Sequence, residues 1–536
     1  MEKNKGNNNP FRNVLNNLLK RKNPDVMMQV ANRNGLKKTL SVFDLIILGV
    51  GAIIGSGIFA VVGIAAAGSG ESVGAGPALV LSMVIAAFAC VFSALCYCEF
   101  AAMLPVAGGA YVYTFATLGE CMAWMVGWIL MLEYGIGSIA VACAWSNHFV
   151  QFMKGFNGYL PSIITNPPIW LVSDYNSAVL QLGCSAKDII PTICGIPFCI
   201  NLPAFVIIIM ITLVLLRGTK DSTLMATVMV LIKLSVIALF VLVGVFYVTP
   251  ENWQPFAPNG AKGIISGAFI IFFAYIGFDA IATTAEESKN PQRDLPIGII
   301  GSLLITTIVY ISVALVLTGM HPTSGIDIPQ GFLKAPMAYV MTMVHQDWVA
   351  GFISVGSLAG LTSVLLVLHL ACTRILYAMS RDNFLPRICK KLDRKTRIPI
   401  VLTWIVGFAI MFGVMTLDLS AAAELCNFGT FTSFIIVCVA VLILRKIDPD
   451  RKRPFKVPFS PWFPIMGILC CGGLMFYYMV TSATFMSAIL FPAWLIFGGL
   501  IYLFYGYRKN RRKEKLMNEM HLRALEKQEE FVKNEL

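Results

Sequence analysis

The sequence predicts an all-α polytopic membrane protein with about 12 transmembrane helices, and three observations carry that expectation. Of its 536 residues, 57% are hydrophobic and only 13% charged, far more apolar surface than a soluble core of this length requires. Apolar stretches of roughly 20 residues, the length a spanning helix needs, recur along nearly the whole chain. Arg and Lys gather between those stretches, mostly on alternate sides.

In chain order the expected spans are 42–66, 77–103, 121–152, 203–216, 222–248, 263–285, 296–319, 349–378, 399–416, 420–444, 461–482 and 488–507. The fourth is short and the third and eighth are long, which tilt absorbs. Connections on one side carry 36 Arg and Lys against 4 on the other, and Lys233 alone stays inside a span. Positive charge is retained in the cytoplasm, so both termini are expected there, in the cell (inner) membrane. The net charge of +12 therefore reports topology. Nucleic-acid binding is disfavoured, because the clusters flank spans and lack base-stacking aromatics.

Residues 1–43 hold no compact apolar core with a cleavage site, so the first span itself is expected to direct insertion. Within them, Phe11 to Lys22 reads either as a short basic amphipathic helix on the inner surface or as a disordered tail. The long external connection 153–202, with five prolines, is expected to fold as a cap. A short surface helix is expected within Gly331–Asp347, and a solvated helix over Glu514–Leu536. Most of the fourteen cysteines lie in spans as small apolar filler, and none has metal-ligand spacing. Cys184, Cys194 and Cys199 share the external loop and could supply one disulfide and one thiol, with no pairing readable.

The first span contains Gly49, Gly51, Gly55 and Gly57 within nine residues. Each interior glycine costs a helix roughly 1 kcal/mol against alanine, so this density marks a place where the helix can unwind. Unwound backbone inside a membrane persists only where it lines a cavity or binds something. Amides near Ser56 and Gly57, at the start of the second half-helix, suit a carboxylate, and the carbonyls before them suit an ammonium. Close packing against a neighbouring helix explains the same glycines about equally well, since Gly51 and Gly55 have small-xxx-small spacing. The sixth span decides between them: Phe272 to Ala280 puts Gly277 and Asp279 at mid-membrane, five spans after the first interruption. Interrupted helices in corresponding positions of two halves point to an inverted-repeat transporter with its site between the breaks.

Four motifs, in order, then resemble the amino acid–polyamine–organocation (APC) superfamily, and most closely its bacterial cationic amino acid transporter (CAT)-like branch. They are Gly51 to Phe59; Glu99 to Tyr111; Phe273 to Glu287 with Lys289-Asn290-Pro291; and Arg374 to Asp382. The resemblance implies a LeuT-type 5+5 inverted repeat. The chain then divides into a cytoplasmic region 1–41, a ten-helix transport core 42–444 with repeats 42–248 and 263–444, two additional helices in 445–507, and a cytoplasmic tail 508–536. It also implies that the substrate carboxylate rests on the amides around Gly55, Ser56 and Gly57, with the ammonium near carbonyls of Ala52, Ile53, Phe273, Ala274 and Ile276. Phe273 would be the aromatic lid, a role consistent with the water-excluding effect of a ring.

Several ionisable residues lie in or beside this core. Lys233 sits eleven residues past Ser222, roughly 16 Å deep at a helical rise, too far to snorkel. Desolvation works against its charged form, which makes it the candidate for proton coupling, and in the resembled family a lysine here replaces a sodium ion. The competing reading is a permanently charged strut on carbonyls of the broken helix. Glu133 matches an acidic position of the branch. It either faces a cationic substrate side chain or is a protonated structural glutamate, and the sequence does not rank the two. Asp279 is expected to pair with polar backbone. Glu99, Glu286 and Glu287, near Arg293, Arg374 and Arg381, are expected to form an inner gate. Ser357, Thr362 and Ser363 of the eighth span are candidates to line the pocket, where Leu361 would limit side-chain size.

The resulting expectation is a secondary active amino acid transporter, by proton symport of a cationic or neutral L-amino acid through alternating access. The alternatives are a non-transporting sensor with the same fold, or an exchanger without proton coupling. No phosphate-binding Gly-Lys-Ser/Thr loop supports an ATP-driven pump. Five scattered histidines give no nucleophile–base pair, so an enzyme is not expected. The expected partners are the amino acid, a proton and membrane lipid, with no cofactor, metal or nucleic acid.

Overall fold

The computed structural model describes residues 21–33, 38, 40–69, 72–156, 159, 161–182, 189–193, 196–323, 328–393, 396, 398–481 and 489–506. Among them, nine helices are long and apolar enough to cross a membrane. Three shorter apolar helices, Leu202–Arg217, Ile400–Thr416 and Phe491–Gly506, fall where the fourth, ninth and twelfth spans were expected. Other than helices there are only two ribbons of paired two-residue strands among the described residues. The protein is thus an all-α polytopic membrane protein.

The helix ends follow local chemistry. Ser41 and Asp44 form a reciprocal capping box that starts the first helix at Val42. Asn201 caps Leu202–Arg217 by accepting from the Ala204 amide at 3.3 Å. Pro291 occupies the first turn of Pro291–Met320, where its missing amide costs nothing. Outside the spans, a helix Gly109–Thr117 that hydropathy did not indicate precedes Glu120–Lys154. The long connection 153–202 carries short helices Ser162–Thr165 and Tyr175–Leu182 and a small cluster of Ala178, Ile190 and Cys199. The segment before the eighth span forms two short helices, Gln330–Lys334 and Pro336–Met343.

Central packing brings the first, third, sixth, eighth and tenth helices around one region, with Glu120–Lys154 against both Asp347–Arg381 and Leu419–Ile447. Phe491–Ile501 is fastened outside by Trp124 and Trp128, whose indole N–H groups donate to carbonyls of Gly498 at 2.8 Å and Trp494 at 2.9 Å. Residues 11–20 of the amphipathic stretch, the tail 514–536, Cys184 and Cys194 lie outside the described residues.

Candidate functional site

The first helix runs from Val42 to Ile53 and ends where Ile54 turns extended, with φ −73° and ψ 103°. It restarts at Gly57 as a wide π-turn, Gly57–Val61, and continues through Val62–Ala67. The amides of Ile58 and Phe59 both donate to the Gly55 carbonyl at 3.2 Å. Ser56 and Gly57 lie upstream of those bonds, so their N–H groups are the orphan donors that every helix start leaves.

Packing and unwinding turn out not to be rival explanations of the glycines. A Cβ on Gly49 would strike Ser302 at 2.5 Å, and one on Gly51 would strike Val230 at 2.9 Å. On Gly55 it would meet Val364 at 2.6 Å, and on Gly57 the backbone of Ala274 at 2.3 Å. The first pair seats the intact half-helix and the second pair lets the break touch its neighbours.

The sixth helix, Gly260–Phe272, tightens to a 3₁₀ turn over Phe273–Tyr275, and Ile276 is extended. Gly277 follows at φ +124°, with Ala52 O only 2.9 Å from where a Cβ would stand. That left-handed backbone and close approach require glycine. Past the break the chain continues as a 3₁₀ helix, Phe278–Glu287. One side chain ties the two breaks together. The Tyr310 hydroxyl, from the seventh span, lies 3.0 Å from Ile53 O and 2.8 Å from Ala274 O.

Between the breaks is a small cavity of about 20 Å³. Ala52, Ile53, Gly55, Ser56, Gly57, Phe273 and Ile276 line it, which brings together most of the residues singled out for substrate. Gly137, Val141, Val364, Leu368 and Cys426 complete the wall and had no distinguishing pattern in the sequence. Ala274 does not line it; its carbonyl serves Tyr310. Leu361 does not line it either, since the eighth helix presents Val364 and Leu368, one and two turns further on. Nor do the hydroxyls of that helix. Ser357 donates to Ser354 O, Thr362 accepts from the Trp145 indole at 3.0 Å, and Ser363 faces Lys233.

Lys233 is fully buried. Its Nζ donates to Gly51 O at 2.8 Å, Ile54 O at 2.5 Å and Ser363 Oγ at 3.1 Å. Three acceptors use all three hydrogens of an ammonium. Gly360 makes room for the stem, its Cβ position lying 3.3 Å from Lys233 Cδ. The amine thereby grips the carbonyl side of the break whose amide side faces the cavity.

Glu133 is also fully buried but does not line the cavity. It accepts from Ser433 Oγ at 3.2 Å, and its backbone carbonyl takes the Cys426 thiol at 3.2 Å. Asp279 accepts a short hydrogen bond from the hydroxyl of Tyr134, beside Glu133, which adds a side-chain partner to the backbone of Gly277, Asp279 and Ala280 facing its carboxylate.

At the basic end of the bundle, Arg374 pairs with Glu287 at 2.6 Å and Arg381 with Glu286 at 3.7 Å. The Ala107 amide also donates to Glu286 at 3.0 Å. Glu99 does not join this group. It pairs with Arg445 at 2.5 Å and Arg453 at 3.4 Å and accepts the Val457 amide at 2.8 Å, fastening the second helix to the tenth. A cavity of about 10 Å³ touched by Leu48, Ala280, Thr283 and Val367 lies a turn from the central one. Beyond it opens a larger cavity of about 90 Å³, and Glu287 and Arg374 line both.

An all-α membrane bundle in which two interrupted helices meet around a closed cavity has the build of a secondary transporter. The amino acid permease family profile matches residues 40–502, and the chain belongs to that family, in the CAT-like branch of the APC superfamily. It is similar to the methylthioribose transporter of Bacillus subtilis (strain 168), 39% identical over 504 residues, covering 94% of this chain and 100% of the relative. The branched-chain amino acid permease BcaP of the same organism is 39% identical over 492 residues, 91% of this chain and 97% of the relative. Cationic amino acid transporter 9, chloroplastic, of Arabidopsis thaliana is 34% identical over 461 residues, 84% and 75% respectively. The family performs secondary transport of amino acids across a membrane and is not one of enzymes.

Proposed function

We propose that this chain is a proton-coupled symporter of an L-amino acid, working by alternating access of a LeuT-type 5+5 core, 42–444, in a twelve-span protein. The spacing of the two breaks, five spans apart, supports the inverted repeat, and the 36-to-4 distribution of Arg and Lys supports cytoplasmic termini in the cell membrane. The substrate carboxylate rests on the orphan amides of Ser56 and Gly57. Its ammonium is held by the carbonyls of Ala52, Phe273 and Ile276, because those of Ile53 and Ala274 already face the Tyr310 hydroxyl. Phe273 closes the cavity.

The observation that carries the coupling is the seat of Lys233. A neutral amine has two hydrogens for three acceptors, so loss of the proton releases Gly51 O or Ile54 O, or turns the Ser363 hydroxyl round. Each rearrangement alters the carbonyl side of the break that holds the substrate. Glu287–Arg374 and Glu286–Arg381 close the cytoplasmic path and part when it opens.

Reconstitution in proteoliposomes tests this. Imposing an acidic exterior is expected to drive amino acid accumulation that a protonophore abolishes. Binding without flux would make the protein a sensor, and exchange indifferent to the gradient would make it an exchanger; either outcome rejects the symport.

A further inference from the structure

The side-chain end of the central cavity carries information that the two breaks do not. Breaks recognise the groups common to all amino acids, whereas Gly137, Val141, Val364, Leu368 and Cys426 surround what differs. None of those five carries a charge, and the hydrogen of the one thiol points away, to Glu133 O at 3.2 Å. The carboxylate of Glu133, one helical turn from Gly137, does not line the cavity; one oxygen accepts from Ser433 and the other has no hydrogen-bond partner among the described residues. A cationic side chain entering this cavity would lose its water and meet no counter-charge on the cavity wall.

We propose that this chain selects a neutral apolar side chain and rejects arginine and lysine, with Gly137 and Leu368 as the specificity-determining residues. The inference rests on the amino-acid reading above. Gly137 fixes the depth of the cavity on the side of the third helix. A Cβ there would stand 3.2 Å from Cys426 Sγ and 3.5 Å from Leu368 Cδ1, so alanine is accommodated by small shifts of flexible side chains. The added methyl consumes space that the substrate side chain needs. Leu368 bounds the same space from the eighth helix, and its truncation enlarges it. A methylene-sized misfit in an apolar pocket discriminates by roughly 10- to 200-fold.

Counterflow in proteoliposomes tests the proposal with leucine, isoleucine, methionine, alanine, phenylalanine, arginine, lysine and methylthioribose. Leucine, isoleucine and methionine are expected to exchange, and arginine and lysine in roughly 100-fold excess to leave leucine exchange unaltered, an excess matched to the discrimination of an apolar pocket. Gly137→Ala is expected to lower the leucine-to-alanine ratio about tenfold or more, and Leu368→Ala to raise the phenylalanine-to-leucine ratio. A measurement on the unaltered protein runs beside these variants: mass-spectrometric mapping of Cys426 alkylation, which leucine is expected to slow and arginine to leave unchanged. Arginine that exchanges or protects as well as leucine overturns this inference alone, as do substrate ratios that neither variant moves. If no amino acid exchanges or protects, the amino-acid reading falls and this inference with it.

Discussion

Replacing Lys233 by methionine separates a proton carrier from a strut. Methionine keeps an unbranched stem of similar length and removes the three donors. Ser363 has one hydrogen to share between Gly360 O at 2.7 Å and Gly51 O at 3.4 Å, so Ile54 O loses its partner and Gly51 O keeps at best a long one. Two buried acceptors so deprived cost about 2–6 kcal/mol. Removing a buried charge that has no carboxylate partner relieves a desolvation penalty that is itself about several kcal/mol. The two effects oppose each other, so the thermal midpoint of Lys233→Met is expected to stay close to that of the parent. Function should divide instead. Substrate counterflow, which needs no net proton movement, is expected to persist at reduced rate, while accumulation driven by a pH gradient disappears. Gradient-driven accumulation that survives in Lys233→Met refutes the coupling. Loss of counterflow and accumulation together, in a protein with the parental midpoint, would leave Lys233 a strut.

Three further outcomes follow from the geometry of the breaks and the gate. Gly57→Ala places a methyl 2.3 Å from the backbone of Ala274, where no side chain can swing aside, and is expected to abolish transport; parental uptake would show that the breaks do not need this contact. Tyr310→Phe removes the hydroxyl shared by Ile53 O and Ala274 O and is expected to cost about 1–3 kcal/mol, read as a lower thermal midpoint together with weaker substrate binding. A midpoint and affinity equal to the parent would exclude the clasp. Arg374→Ala leaves Glu287 without its partner at 2.6 Å, so a cysteine placed at Ala280 should react faster with a thiol reagent supplied from the basic end. The double exchange Glu287→Arg with Arg374→Glu should slow that labelling again, and failure of the exchange to do so would argue against a gate.

What could be read in advance was whatever the membrane itself enforces. A bilayer demands about 20 apolar residues per crossing and penalises both glycine clusters and buried amines, so span positions, both breaks and Lys233 were visible in one dimension. The structure adds the residues whose role is created by contact. Tyr310 resembles any aromatic of a hydrophobic helix until its hydroxyl is placed between two carbonyls, one of them 257 positions away. Glu99 heads one family motif as Glu287 ends another, yet its partner Arg445 is 346 positions off and belongs to a different helix pair. Leu361 failed for a smaller reason. It shares a helix face with Val364 and Leu368 but lies one to two turns short of the cavity, so the miss is one of depth along the helix. Depth explains Glu133 as well. It shares a face with Gly137, which puts an acid near the substrate in any sequence reading, yet it lies a turn away and does not line the cavity, one of its oxygens accepting from Ser433. The breaks were therefore legible because unwinding inside a membrane has a sequence cost. The rest of the cavity wall was not, because it is built from ordinary apolar residues whose meaning lies only in which way they point.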